Sequence, residues 1–279
     1  MTIAIATSPL GRWTQRLQAC PPAAWLALQA AALWVHWRWA ASRLADGSDD
    51  PLGLVAMVAL AWAVWRLAPA LRRDPTPGWL ALALGMSVAA TLAVFVAPPL
   101  VGALWAALAL ACGLRAFLPP GRPMLPLAGL AVLALPVVSS LQFYAGYPLR
   151  VATAELSGRL LQLAGWAAAR TGSAMEVEGR LVIVDAPCSG VQMAWMAYFT
   201  ACAAALAVGL SDGRFARRLP ALGLVVLAGN VVRNTVLVAA EARGMATPAL
   251  HEGVGLAVLG AVCATVAMLV IRGGHDARA

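Results

Sequence analysis

The chain has 279 residues, of which 62% are hydrophobic and 11% charged. Ordinary soluble domains carry roughly 25% charged residues, so a water-soluble fold is excluded and lipid must solvate much of the surface. The formal net charge is +8, and all 20 basic residues are arginine. They cluster between apolar runs, as topology signals facing anionic lipid do, which sets nucleic acid aside as a partner.

Arg12 and Arg16 precede an apolar run, as in a signal peptide. The run is too long for one and ends in Trp34, His36, Trp37, Arg38 and Trp39, so it reads as a retained first span. With roughly 20 residues per crossing, spans are predicted over 22–41, 52–70, 78–97, 99–117, 124–144, 189–210, 219–240 and 252–271. The expected fold class is an all-α polytopic membrane protein of about eight transmembrane helices. Residues 1–145 would hold the first five spans, 146–272 an outer loop and three spans, and 273–279 a cytoplasmic tail.

Orientation follows from arginine. With the N-terminus inside, the cytoplasmic segments hold Arg12, Arg16, Arg66, Arg72, Arg73, Arg115, Arg122, Arg214, Arg217, Arg218, Arg272 and Arg278. The outer side holds the remaining eight, Arg38 and Arg43 among them, so the balance places both termini in the cytoplasm.

The longest connection, about 145–188, then lies outside. Leu149, Ala152, Leu156, Leu160, Leu163 and Trp166 recur at helical spacing and predict an amphipathic helix in the outer interface. Glu178-Gly179, between Met175–Val177 and the β-branched run Arg180–Val184, predicts a tight hairpin that delivers the chain to Cys188.

Three residue types with chemical uses fall on that outer face. Cys188 stands at the predicted start of span six, where unsatisfied N–H groups and the helix dipole favour the nucleophilic thiolate. Arg233, in Asn230-Val-Val-Arg233-Asn234, offers a permanent positive charge for an oxyanion or a carboxylate. Asn230 would orient the guanidinium or donate to the oxyanion. His251, at the start of span eight, offers a general base. Each has a plainer reading as packing residue, snorkelling anchor or interfacial side chain. Cys112, Cys202 and Cys263, within spans, fit packing, and His36 among tryptophans fits an anchor. The five cysteines form no CxxC pair and no zinc spacing, so neither a metal nor a cofactor is expected.

Ala186-Pro187-Cys188-Ser189-Gly190, Asn230-Val-Val-Arg233-Asn234 and His251-Glu-Gly253 together resemble the exosortase/archaeosortase family over about residues 140–272. Tyr147-Pro148-Leu149-Arg150 and the hairpin are similar to the family's lead-in, whereas Asp185-Ala-Pro187 departs from the Glu-Ala many members carry. The resemblance implies a cysteine peptidase or transpeptidase of the bacterial inner membrane with its active site facing the periplasm. Its partners would be exported proteins with a C-terminal tail: a Pro-Glu-Pro-like motif, one transmembrane helix and an arginine cluster. Cys188 would be the nucleophile, Arg233 the oxyanion or carboxylate partner and His251 the acid/base, supported by Ser189, Gly190, Asn230 and Asn234. A thioester would be resolved by water or by an unknown acceptor nucleophile. Arg150, Arg159 or Arg180 would pair with the motif's glutamate. The residues leave open a transporter or polysaccharide-export factor, a non-catalytic partner, and acyl transfer to lipid.

Overall fold

A computed structural model describes residues 20–275, apart from Ser48 and Asp185. Arg12, Arg16 and Arg278, on which the expected orientation draws, lie outside the described residues, as does Asp185. The protein is an all-α polytopic membrane protein with one small sheet. Among the described residues, 6 helices are long and apolar enough to cross a bilayer, or up to 7 if one broken pair counts as a span. The expected eight is too many, for two local reasons.

The run 22–41 is not one helix. It forms α1 (Pro22–Ala32) and α2 (Trp34–Ala45), separated at Leu33. The Trp37 indole Nε1 donates to the Ala30 carbonyl at 2.8 Å, which it shares with the Leu33 N–H at 3.1 Å, so a side chain helps to satisfy the end of α1. The run 124–144 divides into α6 (Leu125–Leu133) and α7 (Val138–Leu163). Pro136 lies in the break, where it has no N–H to continue a helix. α7 therefore unites the end of the fifth expected span with the expected interfacial helix.

The chain packs as two compact units, divided between Leu135 and Pro136. The first contains α1, α2, α3 (Leu52–Leu67), α4 (Pro77–Val96), α5 (Pro99–Phe117) and α6. Its helices meet through small residues: Ala90 of α4 and Ala106 and Ala109 of α5 are fully buried together with Leu33. In lipid, where apolar transfer offers no gain, such close backbone approach supplies the attraction. Gly53 of α3 shows how close it comes, since a Cβ there would lie 2.8 Å from the Ala134 carbonyl oxygen.

The second unit carries every residue singled out above for chemistry. After α7 come β1 (Ala168–Thr171), β2 (Ala174–Val177) and β3 (Arg180–Ile183), an antiparallel sheet in the order β1-β2-β3. The predicted hairpin is present: Val177 pairs with Arg180, and Glu178 (φ 51°) and Gly179 (φ 75°) form the turn. Positive φ at both central residues matches the right-handed twist of the flanking strands. β1 was not foreseen, since its first residues continue the apolar run of α7. A 3₁₀ turn, Ala186–Ser189, leads to α8 (Val191–Val208), followed by α9 (Asp212–Ala242) and α10 (Pro248–His275).

The apolar stripe predicted on α7 is its outward face. Leu156 and Leu160 are exposed, while Thr153, Ala154, Ser157 and Gly158 are buried against the protein. Lipid is a better solvent for leucine than for a hydroxyl, so the small and polar face turns inward.

α9 and α10 pack through Gly229, where a Cβ would run into Val262. Gly229→Leu should therefore destabilise this unit by about 1–3 kcal/mol, as overpacking does. The check is a lower thermal midpoint in detergent than that of Gly260→Leu, at a position with nothing within 4 Å.

Candidate active site

Cys188 lies in the 3₁₀ turn, not on the first turn of α8. Gly190 separates the two, in the left-handed region at φ 82°. The Val191 N–H, the first of α8, is taken by Ser189 Oγ at 3.3 Å, and the Ser189 hydroxyl donates to Gln142 Oε1 at 2.7 Å. The helix dipole thus acts on the thiol less directly than the sequence suggested. Gly190 is required twice over. Its backbone favours glycine, and a Cβ would lie 2.9 Å from Asn230 Cγ.

That close approach lets Asn230 reach the nucleophile's backbone. Asn230 Nδ2 donates to the Cys188 carbonyl at 2.9 Å and to Thr153 Oγ1 at 3.0 Å. Its two N–H groups are thereby spent, so it offers no oxyanion donor, and its Oδ1, the only atom that could accept from a guanidinium, has no hydrogen-bond partner, so it does not orient Arg233, contrary to expectation. One helical turn on, Asn234 Nδ2 donates to Ser157 Oγ at 3.0 Å, and the Ser157 hydroxyl reaches the Val231 carbonyl at 3.3 Å. Asn230 and Asn234 on α9 thus face Thr153 and Ser157 on α7, each pair four residues apart and all four at most 3% exposed. Thr153, Ser157 and Gln142 escaped the sequence reading. The matched four-residue spacings of two hydroxyls and two amides were the available signal.

Arg233 turns to a different side of α9 from the asparagines. Its Nη2 lies 3.1 Å from His251 Nε2. A guanidinium has only donors, so Nε2 accepts and the proton of a neutral ring sits on Nδ1. Arg233 also runs alongside Gly255, one turn beyond His251, where a Cβ would lie 3.5 Å from its Nε. Cys188, Asn234 and His251 line one cleft of about 650 Å³, walled by β3 and by the corner joining α9 to α10. The structure therefore brings thiol and imidazole to the same cleft and arginine onto the imidazole. Among the described residues no cluster of His, Cys, Asp or Glu could hold a metal ion.

The three arginines considered for a substrate carboxylate all have partners within the chain. Arg159 pairs with Glu155 at 2.7 Å, alongside Arg170 at 2.7 Å, and Arg150 lies over the Tyr147 ring. Arg180 stands at the start of β3, its Nη1 donating to the Glu241 carbonyl at 3.4 Å beside the cleft.

Comparison with family models gives a match to the transmembrane exosortase over residues 39–268, most of the chain. The chain belongs to the transmembrane exosortase family. Exosortases are membrane-embedded peptidases or transpeptidases that act on exported proteins with C-terminal sorting signals. The match begins within α2 and so extends well upstream of the region from which the resemblance was read. No curated protein and no solved structure matches the chain.

The asparagine clasp has a measurable consequence in this exosortase. Asn230→Ala leaves the Cys188 carbonyl without its donor in a buried setting, which costs about 1–3 kcal/mol. Thr153→Val removes only the outer partner and should cost less. Thermal unfolding of the two purified variants in detergent checks the order.

Proposed function

We propose that the chain is a cysteine peptidase or transpeptidase that cleaves C-terminal sorting tails at the periplasmic face of the bacterial inner membrane. The observation that carries this reading is the shared cleft of Cys188 and His251, with Arg233 hydrogen-bonded to the imidazole. The periplasmic placement comes with the family resemblance and with the cluster Arg214, Arg217 and Arg218 at the far end of α8 from Cys188; the arginine balance was counted over eight spans and does not carry over to 6 or 7, so no side is assigned to the termini.

In this scheme the substrate is a tail with a Pro-Glu-Pro-like motif, an apolar helix and an arginine cluster. The Cys188 sulfur attacks the scissile carbonyl carbon, and its proton passes to His251 Nε2. For that the Arg233 guanidinium moves off Nε2, and the oxyanion forming beside it is the natural new partner for its charge. Collapse of the tetrahedral adduct breaks the C–N bond. His251 returns the proton to the departing amine, which leaves with the transmembrane tail. The acyl group then passes to water, an amine or a hydroxyl: His251 takes the acceptor's proton as the new bond to the acyl carbon forms, and returns it to the Cys188 sulfur as the C–S bond breaks. Embedding the enzyme in the bilayer places the nucleophile where the substrate's own helix emerges. Arg180, beside the cleft, is the preferred partner for the motif's glutamate.

The test is co-expression with a secreted protein from the same genome that ends in such a tail, tagged on both sides of its helix. At matched membrane levels, wild type should remove the C-terminal tag. Cys188→Ala should abolish removal, and Arg233→Ala and His251→Ala should slow it at least a hundred-fold, the scale of one acid–base or oxyanion group. Cleavage by Cys188→Ala at the wild-type rate would sink the peptidase reading. Retained function in Cys188→Ser with loss in Arg233→Ala would instead favour a transporter or polysaccharide-export factor. Arg180→Gln should weaken processing without lowering the protein's membrane level, and an unchanged rate removes it as the glutamate partner.

A further inference from the structure

The two outer edges of the sheet differ. β1 packs against α7, and Gln162 Nε2 donates to the Ala168 carbonyl at 2.7 Å, so that edge has a side-chain cover. β3 pairs on one side only, with β2. In a two-residue hairpin the closing pair exchanges hydrogen bonds, here Val177 and Arg180, and the bonded pairs then alternate. Met175 with Val182 is the next such pair, and the Val184 N–H to Ser173 carbonyl bond at 3.0 Å continues the series. Leu181 and Ile183 must therefore turn their peptide N–H and C=O groups away from β2. Among the described residues, no group of the chain hydrogen-bonds to them there.

An uncovered strand edge is a template for another chain, which folded proteins normally blunt. This edge lies in a specific place. Leu181, Val182 and Ile183 line the cleft that also holds Cys188 and His251, and the strand runs into the turn that carries Cys188. The Leu181 and Ile183 side chains are 70% and 58% exposed, so the strand offers apolar contacts beside its free peptide groups. The cleft, about 650 Å³, is within the usual range for a ligand site.

We infer that the free edge of β3 seats the substrate polypeptide, which adds to the sheet as a fourth strand against Leu181 and Ile183 and is thereby led to Cys188. The inference rests on the peptidase reading above and deepens it. Main-chain pairing supplies affinity with little demand on sequence, and the side chains of alternate substrate residues face the cleft wall. Pairing also holds the substrate extended, so successive peptide groups pass the thiol at a fixed spacing of about 3.3 Å per residue.

The experiment uses the full chain in the same co-expression assay with the same tagged tail. Ile183→Pro removes one outward N–H and leaves the β2–β3 ladder bonds in place, the position at which an edge strand tolerates proline. Ile183→Ala trims the side chain and keeps the N–H. At matched membrane levels, Ile183→Pro should process at least ten-fold more slowly than Ile183→Ala, and equal rates overturn the inference. A second measurement covers a proline variant that fails to accumulate. In the Cys188→Ala, Leu181→Cys background, single cysteines are scanned through the tail residues ahead of its helix and oxidised. Mixed disulfides at alternate positions support an added strand, whereas none, or all positions alike, overturn it. Cleavage that needs Cys188 but is as fast in Ile183→Pro as in Ile183→Ala defeats the strand alone. Cleavage independent of Cys188, or none by wild type, defeats the peptidase reading and the strand together.

Discussion

The hydrogen bond from Asn230 to the Cys188 carbonyl is the constraint on which the arrangement of the second unit turns. It ties a short turn outside the long helices to the interior of α9. Through Thr153 it ties both to α7. Gly190 makes the bond sterically admissible, because any side chain there would collide with the amide. A buried amide with an unsatisfied donor is expensive in an apolar bundle, so each partner constrains the others. The amide's own oxygen, Oδ1, is buried and has no hydrogen-bond partner, which leaves the clasp with a cost that its two donated bonds must offset.

The same economy explains which way α7 faces. A helix in water would hide its leucines, but in a bilayer the better exchange is to expose leucine to lipid and bury hydroxyls against amides. Thr153 and Ser157 then meet Asn230 and Asn234 in register, while Leu156 and Leu160 face outward. Arg233, three residues after Asn230, emerges on the side of α9 that meets His251. One helix thus serves two tasks by its two faces: clamping the backbone of the thiol-bearing turn, and presenting a cation to the imidazole.

Much of this was legible in the sequence, and the rest failed for identifiable reasons. Composition established a polytopic helical protein, because no other solvent accommodates so much apolar surface. The Glu178-Gly179 hairpin was legible because Gly179 marks the turn and a β-branched run follows it, although Glu178 also takes a positive φ there. The number of spans was overread where an apolar run contained a break. Hydropathy sums over a window and does not register that Pro136 ends a ladder or that α2 carries Arg38, His36 and Arg43. The leucine stripe of α7 was legible from its helical spacing, whereas its opposite face of Thr153 and Ser157 was not, because their partners lie on a helix 77 positions away. For the site, Cys188, Arg233 and His251 stood out by residue type and position along the chain. The role of Asn230 did not, because its partner is a main-chain carbonyl 42 positions away.

A turn whose carbonyl is clasped and whose next residue is a fixed glycine has little freedom left in its main chain. For Cys188 the remaining freedom is rotation about the Cα–Cβ bond, among a few staggered wells. Reorienting the sulfur then takes a single torsion, not the rearrangement of a loop. The clasp therefore separates two motions, holding the backbone still while the sulfur turns about a single bond.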